Sequence, residues 1–153
     1  MSDIVSKGGN LLINTGPKAD GTIPEVMQNC LRGVGSWLSV NGEAIYGSVT
    51  WNVYGEGPSM GGAGFSSSER HQFKAGDVRF TCKGNNLYII MLEWPGEEIS
   101  LTSLKDVIIK RASLLGSNEK IDWDQTGEGI TFSLPTAPVS PYANVLKLKC
   151  KGL

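Results

Sequence analysis

The chain has one histidine, His71, and three cysteines, Cys30, Cys82 and Cys150, none at C-x-x-C spacing. A zinc site needs clustered ligands and a disulfide framework an even count, so neither is expected. The cysteines read as small buried hydrophobes. Positive charge is not in surplus either: 14 Lys and Arg against 15 Asp and Glu leave a formal net charge of −1. That removes the electrostatic footprint of a nucleic-acid partner. No apolar run approaches the ~20 residues of a membrane-spanning helix, and the N-terminus lacks a charged-then-apolar pattern. What is present is an ordinary globular balance, 40% hydrophobic and 19% charged over 153 residues. This suits one domain, or one domain with an appendage.

The stretch LLINTGPKADGTIPE (11–25) imitates a phosphate-binding loop. Leu11, Leu12 and Ile13 read as a buried strand, and a glycine-bounded loop leads into a helix start. A P-loop, however, needs lysine and then Ser/Thr after its second glycine, because the lysine meets the phosphates. Here Thr22 and Ile23 follow Gly21, so a structural strand-to-helix turn is expected. Over 22–42, Met27, Leu31, Val34 and Leu38 recur at helical spacing, widened by Val26, Cys30 and Trp37. Thr22 and Glu25 have the T-x-x-E spacing of a capping box, and Asn41-Gly42 suggests a left-handed stop. Gly33 and Gly35 would admit a neighbouring element closely.

Beyond Gly42 the pattern becomes extended, first over 43–51. Residues 55–70 form a Gly/Ser-rich loop expected to be mobile. VRFTCK (78–83) alternates, Gly84-Asn85-Asn86 turns, and LYIIMLEW (87–94) returns, the signature of a hairpin. Further strands are expected at 97–102, 107–115, 120–125, 129–134 and 143–149, with turn residues between them. The fold class is therefore mainly β: an antiparallel sandwich of about 7–8 strands, preceded by one strand–loop–helix unit. Val78, Phe80, Leu87, Ile89, Met91, Phe132, Leu146 and Leu148 should face a common core. A lone strand of the parallel-sheet type at 11–13 has nothing here to pair with, so the first unit reads as the end of a larger α/β domain.

Chemistry-bearing clusters are scarce. GEGPSMG is no dinucleotide fingerprint, since Met60 stands where the third glycine belongs. His71 has no triad or metal partners in its neighbourhood and reads as a loop residue. Glu93, Glu97 and Glu98 read as turn charges. Trp51, Trp94 and Trp123 are expected as sandwich tryptophans, with a sugar-stacking platform at Trp94 and Trp123 as the alternative.

DIVSKGGNLLINTGPKADGTIP (3–24) and WLSVNGEAIYGS (37–48) resemble the C-terminal part of glycoside hydrolase family 29 α-L-fucosidases. DVRFTCKGNNLYIIMLEWPGEE, SLLGSNEKIDW and YANVLKLK resemble that family's C-terminal β-sandwich. The resemblance implies the last βα unit of a (β/α)₈-like catalytic barrel over 1–50 and a sandwich over 51–153. It places loop 16–22 at the C-terminal rim of that barrel, with Asn14 and Thr15 as pocket-rim candidates. A barrel needs ~250 residues. No residue here matches the family's nucleophile, acid/base carboxylate or fucose-binding histidines. The chain thus reads as a C-terminal α-L-fucosidase fragment, a non-catalytic buttress with no catalytic residue, metal or cofactor of its own. Its implied partners are the absent N-terminal barrel, a fucosylated glycan and a second copy of itself. The family resemblance suggests a secreted, periplasmic or lysosomal parent enzyme.

Overall fold

The computed structural model describes residues 1–60 and 73–153. Five antiparallel strands form the larger sheet: β1 (Val49–Glu56), β2 (Val78–Lys83), β3 (Asn86–Met91), β5 (Ile109–Leu114) and β8 (Asn144–Cys150). Their spatial order is β1-β2-β3-β8-β5. The smaller sheet has the order β4-β7-β6, from Glu98–Leu101, Ile130–Ser133 and Trp123–Gln125.

The space between the sheets is the main core. All eight residues expected to share a core lie in it, joined by Ile99, Leu101, Leu104, Leu114 and Ile130. Strict alternation explains this, because each strand sends every second side chain inward. Phe80 is fully buried, with its ring edge-on to Trp51 at 5.1 Å between centroids. In β3 both sets of alternating side chains are covered, and Leu87 to Met91 are all buried. A second cluster, Trp37, Ala44, Tyr88, Ile90 and Val145, covers the opposite face of the larger sheet. A strand covered on both faces reads as a continuous apolar run, and LYIIM is one.

The outer cover consists of α1 (Ser2–Ser6), α2 (Glu25–Asn41) and a 3-10 turn at Gly42–Ala44. Buried polar groups tie it down. Arg79 donates from Nε to Asp3 of α1 at 2.5 Å, and its guanidinium lies 5.7 Å from the Tyr54 ring centre and 5.4 Å from that of Phe73. Thr81 donates to the Ala44 carbonyl, and Lys147 and Tyr88 both donate to Glu43. Asp77 accepts from the Ser59 and Lys74 amides, joining the two chain segments that flank 61–72. Gly57, at φ 135°, must be glycine there, since a Cβ would come within 2.6 Å of Asp77.

Several local expectations are corrected. Residues 11–13 form no strand: Leu11, Leu12 and Ile13 are exposed and carry no sheet pairing. An extended segment gains a ladder only when a neighbour supplies one. The capping box does not form, because the Thr22 hydroxyl and amide both bond to Asp20 and the helix begins at Glu25 after Pro24. Gly42 is right-handed, at φ −60°. The helix tightens into the 3-10 turn, and the left-handed glycine is Gly47, at φ 65°. Strand β1 accordingly starts at Val49, later than the extended pattern from 43 suggests. Cys150 is buried and Cys82 partly buried, but Cys30 is exposed on α2. Gly33 faces the Tyr142 hydroxyl, whereas nothing approaches Gly35. Of the Gly/Ser segment, Gly55 and Glu56 belong to β1, while residues 61–70 and His71 lie outside the described residues.

Candidate functional site

Helix α2 is attached at one end only. Trp37 is buried against Ile90 and Val145, and its indole N–H donates to the Ala143 carbonyl at 2.7 Å. Leu38 packs beside it. One turn on, Asn41 is buried and its amide donates back to the Trp37 carbonyl. Toward the N-terminus the same apolar stripe leaves the sheet. Met27 and Leu31 are over one-third exposed, Val26 is 74% exposed, and in the preceding segment Leu12 is 92% exposed. Leu11, Ile13 and Ile23 are exposed as well. Water solvates these side chains at a cost of about 25 cal/mol per Å² of apolar surface relative to burial. Apolar side chains exposed in such succession characterise a surface used for contact.

A groove of about 470 Å³ runs beside this helix, its lining including Met1, Cys30, Val34, Trp37, Phe73 and Tyr142 together with the acidic Asp3 and Glu93. A second cavity of about 360 Å³ adjoins Trp37 and is lined by Val40, Asn41, Leu115, Val139 and Asn144.

The remaining sequence candidates are dispersed. Asn14 is exposed and Thr15 half-buried in a segment without regular structure. Trp94 and Trp123 are half-buried, and both pack against the sandwich core. Glu93, Glu97 and Glu98 are exposed around the β3–β4 connection. Among the described residues no three His, Cys, Asp or Glu side chains gather as metal ligands.

The displaced ionisable groups are tuned for structure. Burial pushes the Asp3 carboxyl up, but hydrogen bonds from Lys7 and Arg79 outweigh it and hold the pKa below the ordinary value. Burial likewise opposes the bonds from Ser103 and Thr102 to Glu56, and those from Lys74 and Ser59 to Asp77, and in both cases the bonds prevail. The Thr22 bonds lower Asp20. A general acid for glycoside cleavage needs its carboxyl pushed the other way. Burial, assisted by the Glu43 charge, raises Tyr88 to about 12, and burial raises Cys82 and Cys150. Neither thiol is activated as a nucleophile.

Sequence reasoning missed α1 and the Asp3–Arg79 bridge. The available signal was Arg79 itself, a charge inside a strand whose neighbours are apolar on both sides.

The class defined by these features is an antiparallel β-sandwich carrying a helical unit on one sheet. Two family profiles match the chain: alpha-L-fucosidase over residues 1–43 and alpha-L-fucosidase C-terminal domain over residues 71–149. Tissue alpha-L-fucosidase of Bos taurus is 37% identical over 137 residues, covering 88% of this chain and 25% of that protein. The Homo sapiens tissue enzyme is 36% identical over 138 residues, covering 89% and 26%. The crystal structure of Thermotoga maritima alpha-fucosidase superposes with a TM-score of 0.76 at 31% identity, covering 96% of this chain and 32% of that one. The chain belongs to the α-L-fucosidase family and corresponds to its C-terminal domain with the segment before it. It spans about a quarter of the length of these curated relatives. In the family this C-terminal domain belongs to a larger chain with an N-terminal catalytic domain.

Proposed function

We propose that the chain serves an α-L-fucosidase, a retaining hydrolase of fucosylated glycans, as the non-catalytic buttress of its catalytic barrel. Residues 1–50 would complete the barrel and residues 51–153 would support it from outside. The observation that carries this reading is the half-attached helix. Trp37 fixes α2 to the sandwich, while Leu11 to Leu31 offer uncovered apolar side chains to a second body. Seating a barrel there would bury those side chains and supply strand partners for residues 11–13. Asn14 and Thr15, which follow that segment directly, would then border the pocket rim.

Retaining hydrolysis needs a carboxylate nucleophile and a second carboxyl ~5–5.5 Å away to protonate the leaving oxygen. The carboxylates whose pKa is displaced here are held low by structural hydrogen bonds. The purified chain, incubated with a chromogenic aryl α-L-fucoside beside a full-length relative, should give no turnover above blank. Activity that follows the protein through two columns and disappears on changing one of its carboxylates to the amide would refute the reading.

A further inference from the structure

The register of the larger sheet sets three cations in one row. Lys83 stands opposite Asn86, Asn86 opposite Lys149, and Lys149 opposite Arg111, across the adjacent strands β2, β3, β8 and β5. Directly paired residues share a face. This face is the outer one, because the next positions, Cys82, Leu87, Leu148 and Ala112, belong to the inter-sheet core. All three cations are exposed. One row further along the same face the situation is different: Tyr88 is buried, and Lys147 pairs with Glu43 at 2.6 Å.

The row at Lys149 has no such counter-charge among the described residues. Among the described residues Lys83, Lys149 and Arg111 form no ion pair, and Lys83 donates only to the Tyr46 carbonyl. Like charges directly opposite in a sheet are destabilising. Protection of an exposed edge accounts for charge on β5 but not on β8, which is flanked on both sides. Lys110 at the β5 bulge and Lys151, whose amide donates to the Ile108 carbonyl, bring two further exposed cations to this end.

We propose that this row is a binding surface for an anionic glycan, one bearing sulfate or carboxylate groups. Three inter-strand spacings put the Lys83 and Arg111 backbones about 14 Å apart, the reach of a short oligosaccharide. Asn86 offers an amide to a sugar hydroxyl between two charges, and Arg111 offers a planar fork to an oxyanion. At a net charge of −1 the chain has no long-range attraction for any polyanion, so the row acts through short-range contacts. Nucleic acid is the poorer fit because the row Lys83, Asn86, Lys149 and Arg111 contains no aromatic side chain on which a base could stack. The row lies on the sheet face that also carries the helical unit, and Lys83 reaches the Tyr46 carbonyl at the end of that unit. None of the apolar side chains from Leu11 to Leu31 belongs to the row.

The test is retention of the 153-residue chain on immobilised heparin as salt is varied. The chain should be retained at low salt. Arg111→Gln with Lys149→Gln should lower affinity about 10-fold or more at low salt and reduce the logarithmic salt slope by about two, one per cation. Arg111→Lys with Lys149→Arg should keep the wild-type slope. So should Lys18→Gln with Lys105→Gln, which removes the same charge elsewhere. An unretained wild-type chain would overturn the proposal, as would a neutralised row with unchanged retention. Tighter retention on single-stranded DNA than on heparin at equal salt would also overturn it, by assigning the row to nucleic acid.

Discussion

The sandwich and the helical unit use the same kinds of side chain to opposite ends. In the sandwich, Phe80, Ile89, Phe132 and Leu146 are closed off from water by two sheets, each strand completing its neighbour's burial. In the helical unit, Leu12, Val26 and Leu31 are just as apolar yet remain in solvent. Trp37 marks the boundary: there α2 is buried on the sheet, whereas toward the N-terminus Gly33 and Val34 are only half-buried and Val26, Met27 and Leu31 are exposed. An apolar stripe therefore reports what a helix is built to meet, and the sandwich meets only half of it.

Replacing Phe80 with alanine attacks the closed side of this contrast. It should cost about 3–5 kcal/mol, because the ring is fully buried and leaves a cavity against Trp51. A denaturation midpoint equal to wild type would contradict the assignment of the core.

Asp3→Asn acts at the joint between α1 and the sheet. It should cost about 1–2 kcal/mol at neutral pH, since Arg79 keeps its buried guanidinium but loses a charged acceptor. The pH dependence follows from the lowered Asp3 pKa. The wild-type carboxylate contributes fully above its ordinary value of 3.8, and that contribution is lost as pH falls through the depressed one. The stability gap between wild type and variant should therefore close in acid; a gap that widens would contradict the pairing.

Val26→Lys probes the open side and should have the smallest effect. With the side chain 74% exposed, stability of the chain should change by no more than about 0.5 kcal/mol. Chemical denaturation checks this, and a large loss would show that Val26 is packed after all.

The sandwich was legible because its information is local. Alternation in VRFTCK, the turn signal Gly84-Asn85-Asn86 and the apolar run LYIIM specify β2, β3 and their pairing with no knowledge of the rest of the chain, although Asn86 opens β3 opposite Lys83 and is not part of the turn. The helical unit was legible only as a pattern. The 3.6-residue period at Met27, Leu31, Val34 and Leu38 foretold a helix and its apolar stripe, but not how much of that stripe the chain itself would cover. The exposure of Cys30 follows from the same blindness. Residues 11–13 carry a strand's composition without a strand's partner, and composition cannot supply hydrogen bonds. Capping failed for a different reason: Asp20, two residues before Thr22, competes successfully for its hydroxyl and amide. The five residues of α1 are too few to show any period. For the proposed rim residues Asn14 and Thr15, the family resemblance supplied the only signal, since neither is gathered into a cluster here.

Amide hydrogen exchange along the isolated chain tests the contrast most directly. Exchange protection measures the free energy of local opening, which is low where a segment has few buried contacts. Strong protection is expected through Val78–Met91 and Asn144–Cys150, weaker protection over α2 with its highest values around Trp37 to Asn41, and almost none over residues 10–24. Protection over residues 10–31 equal to that of β3 in the monomer would contradict this expectation, because the face assigned to a catalytic domain would then already be closed.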